Sequence, residues 1–233
     1  MTYQYCYICK QKLGHPAQLD KDHIIPNTFF SSGDKDRPKL SVHKNCHDSK
    51  KSMDDRWFVK RIQLMSSTHP EAKVGIDEFL RKAGKQRKDA FVIGKRISDY
   101  KLAKTVFNDL TEGIHIQSKG EEFVYLQIDG ANKKRFNDYV TNMCIGLYMY
   151  YIADALPNTP TLQFINLPVL QIQGKKQEVL EKIAEPINKY GPNFVGKWSD
   201  RLYILGQRVK ETSNKGYLYC EFYSCIGILA VFR

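Results

Sequence analysis

Near the start of the chain, Cys6 and Cys9 form one Cys-x-x-Cys pair, and His43 with Cys46 forms a second pair at the same spacing. Zinc takes four nitrogen or sulfur donors at the corners of a tetrahedron, and a short loop carrying donors at i and i+3 can turn both toward one ion. Cys6, Cys9, His43 and Cys46 meet that requirement and are the expected ligands of a structural zinc. A module this small cannot build an adequate core, so bound zinc would supply its folding free energy directly. The other three cysteines, Cys144, Cys220 and Cys225, sit among apolar and aromatic neighbours and are expected to be core thiols.

With 233 residues, 42% hydrophobic, the chain has room for such a module and a larger domain behind it. Lys and Arg total 36 against 25 Asp and Glu, and the formal charge of +11 favours a polyanionic partner. The N-terminus is polar and aromatic, without the basic and then apolar run of a signal peptide. The longest apolar stretch, 143–156, is short and interrupted by Asp154, so it reads as a core helix, not a membrane span. A cytoplasmic location is the expectation. In a reducing compartment six cysteines serve as thiols or metal ligands before they serve as disulfides.

Between the two half-sites runs Leu19-Asp20-Lys21-Asp22-His23-Ile24-Ile25-Pro26, and His47 follows the second half-site directly. Phosphodiester cleavage uses a base that activates water and a divalent cation that neutralises charge on the phosphate and the leaving oxygen. Histidine suits the first task near neutral pH, and a carboxylate with a second histidine suits the binding of the cation. Asp22, His23 and His47 are the candidates. Adjacent strand residues point to opposite faces, so Asp22 and His23 would flank a site from two sides. His47 would come from the first turn of a helix running through residues 48–51 toward Trp57.

The order Cys6-x-x-Cys9, Asp22-His23-Ile24-Ile25-Pro26, His43-x-x-Cys46-His47-x-x-Lys50 resembles the ββα-metal module of HNH endonucleases over about residues 3–60. The resemblance implies His23 as general base, Asp22 and His47 as ligands of a catalytic Mg2+ or Mn2+, the four Cys/His donors as a structural zinc, and Lys50 near phosphate. DNA is the implied partner. The sequence departs from the family in one respect: residues 36–42 contain no asparagine where the family has its middle Asn, and Asn27 and Asn45 lie elsewhere. The alternative reading is a zinc-stabilised DNA-binding or partner-docking protein that has lost catalysis.

Beyond the module, a helical run to about Met65 stops in Ser66-Ser67-Thr68-His69-Pro70, which sets the expected boundary between residues 1–66 and 67–233. Residues 81–104 hold nine Lys or Arg, including Arg81, Lys82, Lys85, Arg87 and Lys88, against Asp89 and Asp99. Such a run fits either a solvated helix face or a phosphate-contacting surface. The remainder reads as α+β. Strands are expected at 123–128, 161–173, 202–209, 217–223 and 226–232, and helices at 133–155 and 176–189. The tyrosines of 148–151 and 217–223 fit base stacking and burial equally well, and a protein partner or homo-oligomer is not readable.

Overall fold

Period-two burial organises the C-terminal part of the chain. In the strands Leu202–Arg208, Gly216–Phe222 and Ile226–Phe232, the side chains of Leu202, Ile204, Leu218, Cys220, Phe222, Ile226, Ile228 and Phe232 are buried on one face. Antiparallel pairing sets Ile204 opposite Cys220 and Cys220 opposite Ile228, so apolar rows cross the sheet. The computed structural model describes residues 4–48, 52–66, 68–89, 114–118, 121–125, 130–152, 156–190, 194–198, 201–208 and 215–233.

Over these residues the chain is mixed α+β. Its strands are β1 (Leu19–His23), β2 (Lys39–His43), β3 (Ile114–Ser118), β4 (Glu121–Tyr125), β5 (Thr161–Asn166), β6 (Phe194–Trp198), β7 (Leu202–Arg208), β8 (Gly216–Phe222) and β9 (Ile226–Phe232). Its helices are α1 (Lys44–Cys46), α2 (Ser52–Met65), α3 (Pro70–Asp89), α4 (Gly130–Tyr151), α5 (Leu167–Ile172) and α6 (Lys176–Tyr190). β1 pairs with β2, β3 with β4, and five strands form an antiparallel sheet in the order β5-β9-β8-β7-β6. α4 lies on one face of that sheet, with Tyr148 stacked on Phe232 at 4.1 Å. Tyr219, Tyr203, Leu205 and Leu229 on the other face pack with Leu167, Leu170, Val179 and Ile183 of α5 and α6.

The expected strand over 161–173 is cut short. β5 ends at Asn166, and Leu167–Ile172 is helical. Pro168 has no N–H to give a ladder, and its fixed φ suits the first turn of a helix. Gly174, at φ +70°, then closes the turn, with Lys175 N–H donating to the Leu170 carbonyl at 2.8 Å. β6 was not expected, because Gly196 leaves a gap in its apolar alternation; it is an edge strand whose Gly196 and Trp198 are buried while Val195 and Lys197 are exposed. His115 lies in β3, paired with Val124 of β4, whereas residues 126–128 and 153–155 fall outside the described residues.

The N-terminal segment does not rely on its own apolar residues alone. Phe29 lies 4.8 Å from Phe222 of the sheet, and Phe58 of α2 stacks on Tyr139 of α4 at 4.5 Å. One cluster of buried side chains takes in Tyr7, Ile24, Phe29 and Phe58 together with Phe136, Val140, Leu147 and Phe222. Each such side chain contributes about 1.5–3 kcal/mol when withdrawn from water. One close approach is at Gly146 of α4, where a β-carbon would stand 2.9 Å from both Ile24 Cγ2 and Tyr7 Cδ2. Helix propensity alone would make Gly146→Ala stabilising by about 1 kcal/mol. Overpacking of this kind costs about 1–3 kcal/mol, so the expected net result is a loss of up to about 2 kcal/mol, read from the denaturation midpoint. A variant more stable than the parent would refute this account of the contact.

Candidate metal centre

Residues 5–12 fold into a tight loop. Tyr5 bridges to Lys12, Cys6 N–H donates to the Gln11 carbonyl at 2.9 Å, and Lys10 N–H returns to the Cys6 carbonyl at 2.8 Å with Lys10 at φ 63°. This turns Cys6 and Cys9 inward together. Lys10 Nζ donates to Asn142 Oδ1 and anchors the loop on α4. His43 ends β2 opposite Leu19, and the single turn α1 carries Cys46 back toward the loop.

The result is that one donor atom from each of Cys6, Cys9, His43 and Cys46 lies within 4.8 Å of every other. Cys9 Sγ is 3.3 Å from His43 Nδ1, while His43 Nε2 is 3.2 Å from the Lys12 carbonyl. A carbonyl only accepts, so Nε2 carries the proton and Nδ1 turns its lone pair toward the sulfurs. This is the usual arrangement of a histidine ligand with an outer hydrogen bond fixing its tautomer. Burial, then negative charge on Cys6 and contact with Cys9, pushes the Cys46 thiol up to about 12. At Cys9 burial acts in the same direction, but the Gln11 backbone hydrogen bond and those with His43, Cys6 and Cys46 outweigh it and bring that thiol below its ordinary value. Three crowded sulfurs resist full ionisation unless a cation compensates them, and a four-donor set of this chemistry can hold a zinc ion.

A second group lies around His47. Its Nε2 is 3.6 Å from Asp22 Oδ1, and its Nδ1 is 2.9 Å from Asp20 Oδ2 and 3.6 Å from Asp48 Oδ1. Asp20 and Asp22 are two apart on β1 and so share a face, which brings both to the same imidazole. The Nδ1 contact is close without being aligned as a hydrogen bond. Asp22 is buried, and the Tyr7 hydroxyl donates to its Oδ2 while Oδ1 faces His47. Burial and the Asp22 charge hold the Tyr7 phenol far above its ordinary range, so it stays a donor.

No family model, curated protein or solved structure matches this chain.

His23, next along β1, projects from the other face of the strand, where its Nδ1 lies 3.5 Å from Asn27 Nδ2, the outer limit of a hydrogen bond. Arg37 braces that asparagine by donating to Asn27 Oδ1 at 3.2 Å and to the Ser31 carbonyl at 2.8 Å. The amide is thereby oriented with its nitrogen toward His23, which leaves Nδ1 as an acceptor. Thus Asp22 and His47 meet, with Asp20, Asp48 and Tyr7 around them, while His23 faces the other way beside Asn27; sequence reasoning gave none of these four neighbours a role. Asp20 was findable from the i, i+2 rule, and Asp48 adjoins His47. Tyr7 carried no signal, because its role arises only when the Cys loop packs on β1.

Lys50 lies outside the described residues. Arg81 is exposed on α3, and Lys82, Lys85, Arg87 and Lys88 belong to the same helix, with their side chains outside the described set. Lys95, Arg96, Lys101 and Lys104 also fall outside it. Among the described residues no helix is long and apolar enough to cross a membrane.

Proposed function

We propose that this chain is a metal-dependent endonuclease of the HNH type that hydrolyses DNA phosphodiesters through residues 1–66. The observation that carries the reading is the meeting of Asp22 Oδ1 and His47 Nε2 at 3.6 Å, one hairpin away from a four-donor Cys/His cluster. The order hairpin β1-β2, turn α1, helix α2 supports it, since the two strands and the following helix occur in the sequence expected of a ββα module.

In this reading Asp22 and His47 hold a divalent cation, Mg2+ or Mn2+. Bound there, such a cation supplies charge neutralisation at the phosphate and the leaving oxygen. Tyr7 fixes the Asp22 carboxylate by occupying one oxygen, and Asp20 sets the rotation of the His47 ring. His23 takes a proton from water as the water oxygen bonds to phosphorus and the bond from phosphorus to the leaving oxygen breaks, the water taking over the Nδ1 lone pair that faces Asn27 Nδ2 at the outer limit of a hydrogen bond. Asn27, braced by Arg37, limits the rotation of the His23 ring. The zinc cluster keeps the Cys loop and the end of β2 in place.

Nicking of supercoiled plasmid in Mg2+ or Mn2+ tests the proposal. The purified chain is expected to convert supercoiled to open-circular DNA, and His23→Ala is not. DNA binding without nicking would leave the zinc-stabilised binding protein as the better description.

A further inference from the structure

A groove of about 780 Å3 opens on the side of the β1-β2 hairpin away from Asp20 and Asp22, between the hairpin and the Cys loop. Lys12, Lys21 and Lys39 line it together with Gln4, Ser41 and Tyr150, and none of its lining residues is acidic. All three lysines are exposed, and among the described residues no carboxylate pairs with them. Strand register explains the clustering. Lys21 and His23 share one face of β1, Lys39 and Ser41 share the same face of β2, and Lys39 pairs directly with His23 while Lys21 pairs with Ser41. Directly paired residues have β-carbons about 4.5–5.5 Å apart, so the groove ends beside His23. Lys12 comes from the Cys loop, and its carbonyl accepts from His43 Nε2, so the metal cluster positions that wall.

We infer that this groove seats the sugar-phosphate backbone of the nucleic-acid strand, with Lys12, Lys21 and Lys39 contacting successive phosphates that lead to His23. The inference rests on the nuclease reading for the direction of the strand, while the binding itself stands on the groove. Unneutralised ammonium groups in a concave surface concentrate positive potential where a polyanion enters. Replacement of condensed counterions by three lysines gives the contact its free energy and its salt dependence. Ser41 and Gln4 add neutral hydrogen-bonding groups for phosphate oxygens, and the Tyr150 ring offers a face for a sugar or base.

The test uses the full chain with its zinc and a fluorescein-labelled DNA duplex, with no added divalent cation and no chelator. The triple variant Lys12→Gln/Lys21→Gln/Lys39→Gln is compared with a control triple at exposed lysines elsewhere, Lys73→Gln/Lys133→Gln/Lys175→Gln. The groove variant is expected to lose about 2–3 from the slope of log affinity against log salt and on the order of a hundredfold in affinity at 0.1 M salt. Its zinc content and circular dichroism should match the parent's. Lys39→Gln alone, a milder change, should lose about one from the slope. An unchanged slope in the groove variant, an equal loss in the control, or a parent that binds no duplex would each overturn the inference. Loss of binding in the groove variant alongside a parent that never nicks plasmid supports the groove and removes the nuclease. Intact nicking with unchanged binding in the variant does the reverse.

Discussion

The parent is expected to carry about one zinc per chain and Cys9→Ser to lose it, and elemental analysis of the two purified proteins reads the difference directly. Apparent binding free energies of structural zinc sites are about 10–16 kcal/mol. Even a third of that is comparable with the whole stability of a domain, about 5–15 kcal/mol. A large fall in melting temperature is therefore expected for Cys9→Ser, and for the parent treated with a strong chelator. The loss should be local at first, because Tyr7 and Ile24 pack into a cluster shared with α4 and the sheet. Acid should act like the chelator. Zinc requires every thiol as thiolate, and Cys46, pushed up to about 12 without metal, retakes its proton most readily, so zinc affinity falls as pH falls. Well-folded parent protein without zinc, or zinc retention by Cys9→Ser equal to the parent's, would defeat the assignment.

His23→Ala and His47→Ala should both abolish most cleavage, but in different ways. If His23 only removes a proton from water, His23→Ala keeps metal and DNA binding while the rate falls by roughly a hundredfold or more, the usual scale for a lost general base. If His47 is a cation ligand, His47→Ala weakens metal binding, and high Mn2+ restores part of the rate because the defect is partly one of occupancy. Asp22 remains in that variant, held by Tyr7, to retain some affinity. Cleavage measured against Mn2+ concentration separates the two. Identical curves for both variants, or rescue of His23→Ala instead of His47→Ala, would mean that the roles are wrongly assigned.

The pairing of the Cys/His half-sites was legible because ligand spacing is a local property. The meeting of those half-sites required only that residues 10–42 bring their ends together. The strands β8 and β9 were legible for the same reason, since period-two burial is written into consecutive residues. Helix α2 and the break at 66–70 followed from a Ser-rich stop and Pro70 at the next helix start. The α5 turn was missed because an apolar run of that length reads equally as strand or helix until Pro168 is weighed. Long-range orientation was not legible. Nothing near Tyr7 in the chain announces that its hydroxyl will hold Asp22, and nothing near Asn27 announces Arg37 as its brace. Both depend on how separate segments dock, and the middle Asn of HNH endonucleases has no counterpart in residues 36–42 to suggest where a similar group would stand.

The apolar cluster that joins Tyr7, Ile24, Phe29 and Phe58 to Phe136 and Phe222 has a consequence for anyone wishing to move the Cys/His cluster elsewhere. Residues 1–66 and the rest of the chain furnish each other's interior, so residues 1–66 are not a portable cassette. Grafted onto a foreign carrier, they would present Phe29 and Phe58 to water and lose the Gly146 surface against which Tyr7 rests. A useful transplant must bring α4 and the inner face of the five-stranded sheet with it.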